Sequence, residues 1–119
     1  MPLWFENLSA LMGRVLLGGF FLWTGILNAI NFPETAAVFG ALQLPHPVWI
    51  AILAIAVEVC AGAALVAGTY VRASALWLAL YLLIMTPIVH RAFGNPQEIN
   101  LFLQNMALVG ALLYIAAKA

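Results

Sequence analysis

Four apolar stretches, residues 8–30, 48–68, 73–90 and 99–117, take up most of this 119-residue chain. Each is close to the ~20 residues that an α-helix needs to cross the hydrocarbon core of a bilayer. Backbone polar groups find no water there, so only helices or closed barrels can span, and apolar runs of this length select helices. The connections are too short for a soluble module, so residues 1–119 read as a single four-helix transmembrane domain, all-α and polytopic. Composition agrees: 66% of residues are hydrophobic and 7% charged, against about a quarter charged in soluble domains.

The connections differ in character. Residues 31–47 carry Pro33, Pro45 and Pro47, and residues 33–42 can form a short amphipathic helix with Pro33 in its first turn and Gly40 near its end. Residues 69–72 make a tight turn after Gly68, and residues 91–98 contain Gly94-Asn95-Pro96, a strong break signal. Such connections predict an up-down-up-down antiparallel bundle with both termini on one side. That side carries Arg72, Lys118 and, a little deeper, Arg14, whereas the other has only Arg91. The excess of basic residues places both termini in the cytoplasm. Trp4, Tyr70, Trp77 and Tyr114 then fall at one interface, and Trp49 and Phe93 at the other. The N-terminus lacks the basic segment of a signal peptide, so the first stretch reads as a retained span.

Glu58 interrupts a run, residues 48–68, that holds no other charge. A carboxylate at a bilayer centre costs about 2.5–3.5 kcal/mol and marks a functional-site hypothesis. The nine Val, Leu and Ile residues of the run offset this at about 0.3–0.6 kcal/mol each. Arg14, Gly18, Phe21, Gly25 and Asn28 share one stripe of the first span, and Ala51, Ala54, Glu58, Gly62 and Leu65 share one of the second. The small residues on both stripes allow close helix approach, within the chain or between copies in a homo-oligomer. With flush helix ends, Arg14 lies about 9 Å and Glu58 about 15 Å from the cytoplasmic side, within reach of an Arg14–Glu58 ion pair. Such a pair serves either to fix helix register or to bind ligand or move protons.

A second polar group gathers toward the other side. Thr24, Asn28 and Asn31 run up the first span, Thr86 and His90 share a face of the third, and Gln104 and Asn105 begin the fourth. Together they predict a small wet cavity, and their alternative role is interhelical hydrogen bonding at about 0.6 kcal/mol each. Pro87 predicts a kink in the third helix. His90 is the only histidine within reach of the membrane core. His46, His90 and Glu34 lack any recognised metal-ligand spacing. Cys60 is alone, which leaves no disulfide or CxxC pair. Net charge is zero without a basic run, so nucleic acid is not a partner. No phosphate loop, serine elbow or paired-carboxylate site is present, so no self-sufficient catalytic motif, intrinsic cofactor or metal site is expected.

Gly13-Arg14 with Leu16-Leu17-Gly18, then Phe21 to Gly25, Glu58 with Gly62, Gly68 with Arg72, His90, and residues 104–110 together resemble the DoxX family of small four-helix bacterial and archaeal membrane proteins. The resemblance covers nearly the whole chain. It implies the plasma (inner) membrane of a prokaryote. It carries over Arg14, Glu58, His90 and Asn105 as matching positions. Many members have lysine where this chain has Asn28 and Gln104, so positive charge is missing near the outer cavity. The family takes its name from a subunit of a thiosulfate:quinone oxidoreductase, and relatives are linked to redox complexes and membrane maturation.

Three functions stay open. The first is a redox-associated, non-catalytic subunit binding a quinone or similar lipid-soluble molecule, with Phe21 and Trp23 in apolar contact and Asn28, His90 or Asn105 hydrogen-bonding a carbonyl oxygen. The second is an adaptor that holds or matures a partner protein. The third is transport of a proton or small solute by an oligomer.

Overall fold

The computed structural model describes residues 1–90 and 94–119. Arg91 and Phe93, both assigned above to the outer side, lie outside the described residues. Five helices follow in order: α1 (Leu3–Ile30), α2 (Phe32–Ala41), α3 (Pro47–Ala67), α4 (Val71–Val89) and α5 (Pro96–Lys118). All except α2 are long and apolar enough to cross a membrane. This is the expected four-span protein, with the amphipathic segment of the first connection folded as α2.

Local chemistry sets the helix ends. Proline occupies the first turn of α2, α3 and α5, where its missing N–H costs no intrahelical bond. Asn95 caps α5 by accepting from the Gln97 amide at 2.9 Å. Gly68 ends α3 in the left-handed region at φ 79°, and its amide and that of Thr69 both return to the Ala64 carbonyl. Pro87 lies inside α4, which stops two residues later at Val89.

α1 packs mainly on α3 and α4 on α5, while α3 against α4 joins the two pairs and α2 lies over α3. Among the described residues α1 and α5 make no close backbone approach. The bundle is therefore open along one edge and flat, 50 × 30 × 19 Å. Phe21, Leu65, Leu78 and Leu112 fill its centre, and alanines such as Ala61, Ala75 and Ala79 let the helices approach them. The outward-facing apolar side chains, Leu16, Trp23, Leu53 and Trp77 among them, meet lipid.

The antiparallel α1–α3 pair is set by glycines. A Cβ at Gly18 would stand 2.7 Å from the Gly62 carbonyl oxygen, and one at Gly62 would stand 2.7 Å from the Leu22 nitrogen. Only hydrogen fits at either point. This crossing places Arg14 level with the end of α3.

The expected Arg14–Glu58 ion pair does not form. Arg14 Nε donates instead to the Leu65 carbonyl at 3.3 Å. Its guanidinium also lies over Gly68, where a Cβ would come within 2.9 Å of it. Arginine there adds a second donor to a carbonyl of the last turn, which the Gly68 amide reaches at 3.2 Å, and meets the negative end of the α3 dipole. The ends of α1 and α3 are not flush. α1 begins at Leu3, five residues before its predicted start at residue 8, and Leu3–Met12 are exposed. Glu58 consequently sits seven residues from Leu65, roughly 10 Å further along α3. The second pair repeats the device: Arg72 donates through Nε to the Ala116 carbonyl at 3.2 Å and through its terminal nitrogen to that of Ala119.

Candidate functional site

The polar groups of the sequence converge on one cavity of 440 Å³, walled by α1, α2 and α4, with Glu58 from α3 and Asn105 from α5. Phe20, Phe21, Phe39, Leu82 and Met85 provide its apolar surface. α2 is tied across it by Thr35, whose hydroxyl lies 3.0 Å from both the Asn28 and the Asn31 carbonyl oxygens.

Glu58 is the most enclosed charged side chain among the described residues, 3% exposed. Its Oε1 accepts from Asn28 Nδ2 at 3.2 Å and from the Tyr81 hydroxyl at 3.3 Å. Both donors reach the same oxygen, and no cation approaches either one among the described residues. No side-chain polar atom sealed from solvent lacks a partner among the described residues, so Oε2, which takes neither bond, is reached through the cavity.

At the far wall, His90 Nδ1 stands 2.8 Å from Glu98 Oε2. With the carboxylate as acceptor, Nδ1 carries a proton, and in the neutral tautomer Nε2 is the acceptor. Beside it Asn105 Nδ2 donates to Thr86 Oγ1 at 3.2 Å, with Thr86 itself 2% exposed. The remaining donors are also engaged: Thr24 bonds the Phe20 carbonyl and Asn31 Nδ2 the Leu27 carbonyl. Most donor-bearing side chains thus have an internal acceptor already, while Thr86 is placed as the acceptor of Asn105. The cavity offers Glu58 Oε2, the Glu34 carboxyl and the asparagine carbonyls, together with one further N–H on each asparagine. It is rich in acceptors.

Of the residues that the sequence singles out, Phe21, Asn28, His90 and Asn105 all line this cavity, and Glu58 joins them. Arg14 does not, for the reason given above. Trp23 also falls outside. It is 62% exposed on the lipid-facing side of α1, because the stripe that faces protein passes through Phe21 and Gly25 and turns Trp23 away. Gln104 is absent from the lining, and His46 starts α3 away from it. Among the described residues no three His, Cys, Asp or Glu side chains come together as a metal-binding group.

The sequence does not single out Tyr81 or Glu98, and it offers Glu34 only as a candidate metal ligand beside His46 and His90. Tyr81 reads as one more aromatic in an apolar helix, although a phenol placed mid-span needs a hydrogen-bond partner. Glu98 is separated from His90 by the Gly94-Asn95-Pro96 break, which folds it back. Glu34 reaches the cavity only because α2 lies across the bundle.

A family model for DoxX matches residues 9–91. The chain belongs to the DoxX family. The matched segment runs from α1 through α4 and contains Arg14, Asn28, Glu58, Tyr81 and His90. Asn105 and Glu98, on α5, lie beyond it. Comparison with curated proteins and with solved structures gives no match.

Proposed function

We propose that this DoxX protein holds the head group of a quinone-type, lipid-soluble molecule in the 440 Å³ cavity, and that it does so as a non-catalytic subunit of a redox complex. The observation that carries this reading is Glu58: a carboxyl buried at mid-span, with one oxygen fixed by Asn28 and Tyr81 and the other open to the cavity. An intramembrane carboxyl without a counter-cation is by default a functional-site hypothesis, and its uncommitted oxygen suits a ligand that donates a hydrogen bond. The aromatic and aliphatic walls suit a ring, and the carboxyl and imidazole suit its polar substituents.

The acceptor-rich lining favours the reduced form of such a molecule. A quinol hydroxyl donates to Glu58 Oε2, and His90 Nε2, oriented by Glu98 through Nδ1, is a second acceptor. The oxidised form, with carbonyls in place of hydroxyls, finds mostly engaged donors. Electron exchange belongs to a partner protein. In the proposed setting, the inner membrane of a prokaryote, both termini face the cytoplasm.

The test is binding of a short-chain quinol and its quinone to the purified protein in mild detergent, kept under anaerobic conditions. The quinol is expected to bind more tightly, and Glu58→Leu to remove that preference by taking away the acceptor. Equal affinity of the wild type for both forms, or an unchanged preference in Glu58→Leu, would refute the assignment.

A further inference from the structure

The edge left open between α1 and α5 widens into a second cleft of 740 Å³ at the end of the bundle that carries both termini. Its walls are mostly apolar and include Phe5, Ala10 and Ile115. Three charged side chains line it, Arg14 and Lys118 against Glu6. A guanidinium has five N–H donors. Arg14 uses the one on Nε for the Leu65 carbonyl, which leaves its terminal N–H groups for the cleft. Lys118 lies 5.8 Å from the centroid of the Tyr114 ring, which rests its ammonium against the same wall.

An apolar slot, open to the bilayer and carrying more cations than anions, has the shape and charge of an acyl chain below a phosphate. We infer that this cleft is a binding site for one anionic phospholipid. Its phosphate rests on Arg14 and Lys118, and its chain occupies the gap where α1 and α5 fail to meet. A second copy of this chain is a poor alternative occupant. A two-fold interface sets the same patch against itself, which would gather four basic side chains around only two Glu6 carboxylates.

The site is separate from the polar cavity, so its test is independent of the quinol reading. The protein is reconstituted with phosphatidylcholine alone or mixed with phosphatidylglycerol, and native mass spectrometry counts the lipid retained after mild detergent extraction. One phosphatidylglycerol should be retained in preference to phosphatidylcholine. Lys118→Ala should lower that preference about fivefold, the effect of one basic residue near an anionic head group. Gly13→Leu supplies a second variant: Gly13 lines the cleft, and a Cβ there meets nothing within 4 Å. The leucine narrows the slot from a Cβ that meets no neighbour, so lipid retention should fall while circular dichroism stays unchanged. Equal retention of the two lipids by the wild type, retention undiminished in Gly13→Leu, or a dimer that closes this face to lipid would overturn the inference.

Discussion

Replacing Gly18 by alanine tests both the helix packing and its hold on the site. A Cβ at this position would stand 2.7 Å from the Gly62 carbonyl oxygen and 2.9 Å from the Val66 nitrogen. Both are backbone atoms of α3, so no rotamer change relieves the clash. Ordinary contact begins at 3.4 Å, and α1 must therefore part from α3 by about 0.7 Å (3.4 − 2.7). Overpacking of this kind costs about 1–3 kcal/mol. The same shift carried along α1 would lengthen the Asn28–Glu58 bond from 3.2 Å to about 3.9 Å (3.2 + 0.7), beyond hydrogen-bonding range. Gly19→Ala is the control, because a Cβ there meets nothing within 4 Å. Alanine also gains up to about 1 kcal/mol of helix propensity over glycine. Thermal unfolding in mild detergent, followed by intrinsic fluorescence, should show Gly18→Ala well below wild type and Gly19→Ala at or above it. Quinol affinity should fall in the first variant alone. Equal stability and equal affinity of the two alanine variants would show that the close α1–α3 crossing is not what positions Asn28 against Glu58.

Other outcomes follow from the same geometry. In a double-mutant cycle, Arg14→Gln and Glu58→Gln should be additive to within about 0.5 kcal/mol, as for sites that share no partner; a coupling well above 1 kcal/mol, measured by equilibrium unfolding, would reinstate the ion pair. Tyr81→Phe removes one of the two donors to Glu58 Oε1 and should cost about 0.5–1.5 kcal/mol of stability, with weaker quinol binding by titration. Trp23→Ala should leave that affinity unchanged, since the indole faces lipid and not the cavity; a tenfold loss would return Trp23 to the site. In a Cys60→Ser background, a cysteine at Thr69 should react with membrane-impermeant reagent only after cells are opened and one at Gln97 in intact cells; the opposite pattern would invert the proposed orientation.

The amino-acid sequence by itself determined the four spans, their antiparallel order and the class of the protein. Those follow from apolar run length and from Gly and Pro at the breaks, local properties that neighbouring helices do not alter. It also picked out Glu58, Asn28, His90 and Asn105, since polar groups inside apolar helices must turn toward protein. Tertiary structure alone decided what each of them touches. Arg14 meets the end of α3 and not Glu58, because the Gly18–Gly62 crossing slides α1 along α3 by an amount no periodicity encodes. Tyr81 became a partner of Glu58 only once α4 had packed on α3, and Glu98 a partner of His90, eight residues away, only once α5 had packed on α4. Helical spacing fixes the face on which a side chain lies, but axial offset between two helices is set by backbone contact, and that offset selects the hydrogen-bond partner.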